Sequence, residues 1–216
     1  MTEAILSHNE NAEAVATAML SNAFDLTDAE KMEKIAFHFS EIMQTLGLDL
    51  SDDSLRDTPR RVAKMYVKEI FSGLNPMNKP AISLFENKYA YRGMLVEKDI
   101  TLYSHCEHHF VPIIGKAHVA YMPGDKVMGL SKINRLVQYY AHRPQVQERL
   151  TMQIADGLMQ ALQHPNVAVV IEADHLCVAS RGIKDSNSQT VTAHYSGCFN
   201  EDKIRQEFLQ HIQFKK

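Results

Sequence analysis

The residues best suited to chemistry lie together in the segment 104–110, Ser-His-Cys-Glu-His-His-Phe. Within it, Cys106 and His109 are separated by two residues, and this spacing allows one tight turn to direct both side chains at a single ion. A thiolate and a neutral imidazole form a donor set that suits zinc. Two ligands are only half of a site, so the others must come from another part of the chain.

A second segment, Asp174-His175-Leu176-Cys177, offers further ligands at the end of an apolar run. An isolated Cys-x2-His pair is more often a surface histidine beside a buried cysteine, but two Cys/His clusters in one chain favour a metal site. Three protein ligands plus water are typical of catalytic zinc, whereas structural zinc usually has four protein ligands. His105 or His108 could supply a fourth, so the residues alone permit either kind of site.

The composition limits the class of protein. The chain has 216 residues, of which 45% are hydrophobic and 23% charged, as is ordinary for a soluble globular protein. A net charge of −3 argues against a nucleic-acid partner bound through a large basic surface. The three cysteines are too few for a disulfide framework, which indicates a reducing compartment. With neither a signal peptide nor a membrane-length apolar run in the sequence, we expect a cytoplasmic protein without a membrane partner.

Residues 26–75 are predicted to form a helical hairpin. A capping-box sequence that starts at Thr27 begins the first helix, and Gly47 is placed to end it. Pro59 stands at the first turn of the second helix, where its missing N–H is not needed. The preceding residues, 1–25, form an arm whose weak amphipathic pattern is compatible with a loose helix.

From residue 90 to residue 216 the pattern predicts one domain with strand and helix segments. The predicted elements are antiparallel strands within 93–123, a helix capped by Ser131 and broken by Pro144, a helix from about Gln145 to Leu162, strands at 166–171 and 190–199, and a terminal helix at 203–214. The fold class is therefore α+β, a helical hairpin followed by a ββααββ unit with an antiparallel sheet. The Cys106 half-site lies at the junction of the first two strands.

Three polar clusters accompany the metal ligands. A carboxylate at Glu148 beside the Gln147 amide could accept from N1–H and N2–H₂ of guanine, although a solvated helix face is the commoner use of such a string. Lys132 and Arg135, which follow Ser131 at a helix start, suit a polyphosphate, with exposed helix charges as the alternative. Gly182 permits a sharp turn that would point the preceding residue, Arg181, back toward the metal pocket.

Taken together, five sequence blocks resemble the GTP cyclohydrolase I family. The blocks are Asp57–Met65, Cys106–Phe110, Gly129–Arg135, Arg143–Arg149, and His175-x-Cys177 with Arg181–Ile183. They span roughly residues 40 to 200, whereas the first 25 residues and the last dozen carry none of the resemblance. Cys198 lies outside the family pattern, and we interpret it as a small buried apolar residue.

The resemblance implies a tunnelling fold (T-fold) and a hydrolase that opens the guanine imidazole ring of GTP at C8. Formate is released, and ribose rearrangement and ring closure then give 7,8-dihydroneopterin triphosphate, in the first step of tetrahydrofolate and pterin biosynthesis. The family assembly implied is a toroidal homodecamer of two face-to-face pentamers. Its active sites lie between subunits.

The same resemblance assigns roles to residues of this chain. One Zn²⁺ per subunit is held by Cys106, His109 and Cys177, with a position left for water. The other assignments are His175 as general acid at N7, His108 for orienting water or carrying protons, Glu148 and the Gln147 backbone for guanine, Ser131 for ribose, and Lys132, Arg135, Arg181 and a neighbouring subunit's Lys64 for the triphosphate.

Two other functions compete with this one. A pterin or deazaguanine enzyme on the same type of fold would share the purine-binding glutamate, but would not need Cys106, His109 and Cys177 together. A zinc-stabilised assembly module without catalysis would need a fourth protein ligand, and it would have no use for His175 and Arg181.

Overall fold

The computed structural model describes residues 16–213. Residues 18–78 form one compact unit, and residues 79–213 form the other together with residues 16 and 17. The first 15 residues of the predicted arm, and Phe214 at the predicted end of the terminal helix, lie outside the described residues. Helices and antiparallel strands occur together, which confirms the α+β class. Across residues 16–213, no helix is both long enough and apolar enough to cross a membrane.

The unit of residues 18–78 begins with helix α1 (Asp28–Thr45), whose start and end follow the local sequence. The backbone N–H of Thr27 donates to the Glu30 carboxylate at 2.8 Å, and the Thr27 hydroxyl accepts from the Glu30 backbone N–H at 3.3 Å. These two bonds are the predicted capping box. Gly47 has a φ of +83°, a backbone conformation that ends helices and favours glycine.

The second helical segment of this unit is helix α2 (Thr58–Met65), which continues as a π-helical turn over Tyr66–Ile70. Pro59 lies in the first turn, as predicted. The ammonium of Lys68 lies 2.5 Å from the carboxylate of Asp28, so an ion pair joins the π-helical turn to the start of α1.

In chain order, the elements of the second unit are β1 (Leu84–Glu86), β2 (Leu95–Cys106), β3 (Pro112–Tyr121), β4 (Lys126–Met128), α3 (Leu130–Ala141), β5 (Pro144–Gln145), α4 (Gln147–Leu162), β6 (Val167–His175), α5 (Leu176–Ala179), β7 (Thr190–Tyr195) and α6 (Asp202–Gln213). The strands form a five-stranded sheet with the order β5-β2-β3-β6-β7 and a separate antiparallel pair, β1-β4. The long elements follow the predicted ββααββ order, with β2, β3, β6 and β7 antiparallel.

The strand register explains how two distant segments meet. Ser104 on β2 lies opposite Ile113 on β3, and Ile113 lies opposite His175 on β6. The ends of β2 and β6 therefore flank the start of β3. Close strand contact is required nearby, because a Cβ atom added at Gly115 would lie 2.1 Å from the carbonyl oxygen of Glu172.

Apolar side chains cover both faces of this sheet. Helices α3 and α4 supply the larger cluster, which contains the fully buried residues Ile133, Leu136, Val137, Leu150, Ile154 and Leu158. A smaller cluster on the opposite face packs Phe199 against Phe208 of α6. The periodicity of the two central helices is thus confirmed.

Two local predictions were wrong. Helix α3 begins at Leu130 with Gly129 as its N-cap, so Ser131 lies inside the first turn and does not cap it. Helix α4 begins at Gln147, because Pro144 and Gln145 pair in parallel with the end of β2. A two-residue strand is too short to show a period, so no local pattern predicted it.

Candidate metal and substrate site

The first ligand segment is a tight turn at the end of β2. The N–H of Phe110 donates to the carbonyl of Cys106 at 2.8 Å, and the N–H of Cys106 donates to the carbonyl of Val111 at 2.9 Å. Phe110 has a φ of +54°, in the left-handed region that a chain adopts to reverse sharply. As a result the Cys106 sulfur and the His109 Nδ1 lie 3.9 Å apart.

A network of hydrogen bonds ties this turn to the start of α4. The backbone N–H of Glu107 donates to the Gln145 carbonyl at 2.9 Å. Arg149 contacts the Glu107 carboxylate at 2.5 Å, the Pro144 carbonyl at 2.7 Å and the Gln145 side-chain oxygen at 3.0 Å. The Arg149 side chain is only 16% exposed, so its charge-assisted bonds are partly shielded from water.

The second ligand segment follows β6. His175 is the last residue of that strand, and Cys177 lies in the single-turn helix α5. The ligand atoms of Cys106, His109 and Cys177 all lie within 4.8 Å of one another, and this group could hold a metal ion. Within the described chain it contains three residues and neither His105 nor His108, although a structural zinc would need a fourth protein ligand.

Two cysteine sulfurs and one histidine nitrogen are donor types that zinc favours, and their separations are close to those around a bound zinc ion. Ligand atoms around a tetrahedral zinc lie roughly 3.3–3.8 Å apart, so the observed group needs shifts of about 1 Å to enclose the ion. Burial, and then the adjacent Cys106 thiol, raise the pKa of the Cys177 thiol above its ordinary value. A bound cation would act in the opposite direction, because it favours the thiolate form.

Arg181 lies against the metal-ligand group. Its Nη1 atom is 2.9 Å from Nε2 of His109, and since guanidinium groups only donate hydrogen bonds, Nε2 is the acceptor here. Gly182 follows with a φ of +60°, the sharp turn that the sequence suggested. The turn therefore brings a permanent positive charge to the pocket.

His175 contacts a buried amide of α4. Its Nε2 atom lies 2.8 Å from Oε1 of Gln147, and the Gln147 side chain is only 1% exposed. Burial lowers the pKa of His175, while the nearby Glu148 and Asp174 charges raise it. The Gln147 amide points inward to His175, whereas its neighbour Glu148 is exposed, so these two adjacent side chains have different surroundings.

The remaining predicted substrate residues are exposed or half-buried. Ser131 and Arg135 are exposed and Lys132 is half-buried, all three in the first turns of α3. Among the described residues, no hydrogen bond or ion pair joins them to the metal-ligand group. Lys64 is exposed on α2, in the other unit.

His108 also presents its ring to solvent. The His108 imidazole is 65% exposed and lies 3.8 Å from the Glu107 carboxylate. It is therefore adjacent to the Cys106–Phe110 turn without belonging to the three-residue ligand group.

Two side-chain pairs beside the candidate ligands were not predicted from the sequence. Arg149 bonds Glu107 from 42 positions away, and the Gln147 amide bonds Thr192 from 45 positions away. No spacing rule applies at such separations, so only the fold reveals these pairs.

Comparison with known proteins identifies similar sequences over most of the chain. The profile of the family described as GTP cyclohydrolase I matches residues 35–213. A protein of Flavobacterium johnsoniae named GTP cyclohydrolase 1 is 60% identical over 192 residues, which are 89% of this chain and 86% of the relative. The proteins of the same name in Yersinia enterocolitica and Erwinia tasmaniensis are 53% and 51% identical, over 96% and 99% of this chain and 98% and 97% of their own lengths.

Proposed function

The chain belongs to the GTP cyclohydrolase I family, and on this premise we propose that it converts GTP and water to formate and 7,8-dihydroneopterin triphosphate in a zinc-dependent reaction. This would be the first step of tetrahydrofolate and pterin biosynthesis. The observation that supports the proposal most directly is the convergence of Cys106, His109 and Cys177 within 4.8 Å in a chain of this family.

Cys106, His109 and Cys177 would hold one Zn²⁺ per subunit. Their two sulfurs and one imidazole nitrogen are donors that zinc favours, and a set of three leaves a fourth position open. Zinc bound in this way would supply Lewis acidity, which makes water acidic enough to lose a proton near pH 7. The turn at Cys106–Phe110 would fix two of the three ligands before the ion arrives.

His175 would act as the general acid at N7 of the purine. Burial lowers the pKa of its imidazolium, and a cation with a lower pKa is a stronger proton donor. Protonation of N7 makes the adjacent C8 a better electrophile. His108, exposed beside Glu107, would carry protons between the site and solvent during ring opening.

The guanine edge would be held at the start of α4. Glu148 is exposed there, and its carboxylate can accept from N1–H and N2–H₂ of the base together. The backbone of Gln147 would complete this contact, since the Gln147 side chain is already bonded to His175.

The triphosphate would be bound by cations from several segments. Lys132 and Arg135 lie in the first turns of α3, where the helix N-terminus also favours anions, and Ser131 would contact the ribose. Arg181 beside His109, together with Lys64 from a neighbouring subunit, would contribute further positive charge. Binding energy from the phosphates would position the base for the reaction.

We further propose a toroidal homodecamer of two pentamers with active sites between subunits. Each chain would consist of a hairpin domain (26–75) and a catalytic T-fold domain (90–216). Phe37 and Ile42 of α1, and Leu46 directly after it, are 60%, 52% and 73% exposed in the single chain. Association between subunits would bury these large apolar side chains. A cytoplasmic location would keep the ligand thiols reduced.

The test is the release of formate from GTP together with the absorbance and fluorescence of a pterin product. Wild-type protein, chelator-treated protein and the variants Cys177→Ala and His175→Ala would be compared, with Cys198→Ala as a matched cysteine control outside the ligand group. We expect activity in the wild type and in Cys198→Ala, and its loss on chelation and in Cys177→Ala. A zinc-loaded oligomer that leaves GTP unchanged would contradict the proposal.

A further inference from the structure

We propose that Gln147 is a positioning residue that holds His175 with a proton on Nε2, so that Nδ1 is the ring atom that exchanges a proton with the substrate. The inference rests on the proposed function for the identity of that substrate. It assigns the Gln147 side chain to the histidine and not to the bound base.

The orientation of the Gln147 amide follows from the acceptors around it. Its nitrogen lies 3.1 Å from the carbonyl oxygen of Ile171, 3.0 Å from that of Thr190 and 3.2 Å from the hydroxyl of Thr192. Carbonyl oxygens only accept hydrogen bonds, so a flipped amide would set its oxygen against two other oxygens. The nitrogen must therefore face these groups, and Oε1 must face His175.

Two threonine hydroxyls complete the network without any conflict between donors. Thr151 donates its hydroxyl proton to the backbone carbonyl of Gln147 at 2.9 Å. The hydroxyl of Thr192, 2.7 Å from that of Thr151, then donates to it and accepts from the Gln147 amide. The two protons of the Gln147 amide are shared among three acceptors, and in this arrangement no oxygen lone pair faces another.

The His175 tautomer follows from this arrangement. Since Oε1 of Gln147 can only accept, the Nε2 atom of His175 at 2.8 Å must donate, and the neutral ring carries its lone pair on Nδ1. In the acid step, the N–H bond at Nδ1 of the imidazolium breaks and its proton binds the N7 lone pair. The Nε2 proton stays on the ring throughout, bonded to the amide oxygen.

The Gln147 side chain is too buried to bind the substrate directly. Gln147 is 1% exposed, and both ends of its amide are bonded within the protein. A guanine base could reach this amide only if the contacts to β6 and β7 broke. The side chain therefore acts on the reaction through His175.

The first test separates kcat from KM in Gln147→Met, which keeps the side-chain length and removes the amide. We expect kcat for GTP to fall about 100-fold, in the range of a general acid, with KM changed by less than about twofold. The matched control is Gln153→Met, which removes a second buried amide of α4 (Gln153 is 5% exposed) and is expected to lower kcat by less than about threefold. A raised KM with unchanged kcat in Gln147→Met, or equal losses of kcat in both variants, would overturn the proposal.

The second test observes the tautomer directly by solid-state ¹⁵N NMR of histidine-labelled, zinc-loaded oligomer, with the His175 signals identified by their loss in His175→Asn. We expect a protonated Nε2 and an unprotonated Nδ1 in wild type, and a mixture of tautomers in Gln147→Met. A wild-type ring protonated on Nδ1 alone would overturn the inference. Because this measurement needs no turnover, the expected spectrum from a protein that leaves GTP unchanged would support the tautomer assignment and contradict only the proposed function.

Discussion

The two segments that supply the candidate metal ligands are built in opposite ways. The turn Cys106–Phe110 is closed by its own backbone hydrogen bonds and tied to α4 through Arg149. The segment after β6 has only the four-residue helix α5, followed by residues 181–190, which are all exposed. One side of the site is thus closed by its own backbone and bonded to α4, whereas the other continues into an exposed loop.

This difference suggests that the turn serves zinc binding and the loop serves GTP binding. A turn with preset geometry lowers the cost of arranging ligands around an ion, whereas an exposed loop can move as a substrate enters or leaves. We therefore expect changes in the turn to act mainly on zinc affinity, and changes in the loop to act mainly on GTP binding.

The largest effect is expected for Cys106→Ala, which removes a ligand from the fixed side. Peptides with four ligands bind zinc with a free energy of ~10–16 kcal/mol, or about 3 kcal/mol per ligand. The loss of one ligand should therefore weaken zinc binding roughly 100- to 1000-fold. Competition with a chromophoric chelator measures this affinity. Cys198→Ala is the control, and zinc affinity in Cys106→Ala equal to that of the control would contradict the ligand assignment.

Zinc affinity should also rise with pH. Burial and the Cys106 thiol raise the pKa of Cys177, so below that pKa the thiol is protonated and zinc must displace the proton. If zinc binding releases one thiol proton, the apparent zinc affinity rises about tenfold for each pH unit. The rise ends once the pH exceeds the pKa of the thiol. Chelator competition at pH 6, 7 and 8 tests the slope, and an affinity independent of pH would show that no thiol proton is lost.

Arg149→Met tests whether the bond from Arg149 to Glu107 in the Cys106–Phe110 turn contributes to zinc affinity. Removing partners that orient ligands typically costs ~10–100-fold in metal affinity, and we expect the lower end of that range because Glu107 is itself partly exposed. The control is Arg205→Met, which removes an arginine–carboxylate pair with Asp202 on α6, away from the site. Equal zinc affinity in the two variants would mean that the turn needs no support from α4.

The smallest effect is expected for Gly182→Ala in the exposed loop. A Cβ there meets no atom within 4 Å, but the φ of +60° costs an alanine about 1 kcal/mol. We expect KM for GTP to rise about fivefold as Arg181 is displaced, with zinc affinity nearly unchanged. Gly124→Ala, which also has open space and lacks the positive φ, is the control; a larger effect on zinc than on GTP would contradict the division of tasks.

Long elements and ligand identities could be predicted from the sequence because both leave local patterns. Helical periodicity identified the buried faces of α3 and α4, and the Thr27 capping box located the start of α1. The Cys-x2-His spacing likewise identified two ligands of the group that the fold brings together.

The rest could not be predicted, because it depends on contacts between distant residues. Strand β5 exists only because its two residues pair with the end of β2, and the direction of the Gln147 amide is set by carbonyls on β6 and β7. Ser131 looked like a helix cap by type, yet Gly129 takes that position. Strand β4 ends at Met128, directly before Gly129, so the path of the chain out of β4 decides where the helix starts, and residue type alone does not.

The pairing of β3 with β2 on one side and β6 on the other restricts where residues can be inserted into this sequence. Ile113 faces Ser104 on one side and His175 on the other, so a single residue inserted in this part of β3 would shift one ligand segment past the other and turn its side chains to the opposite face. An insertion between residues 183 and 189 would leave that register intact. Natural variation in chain length should therefore collect in the exposed loop, while the three strands beside the site keep a constant count of residues.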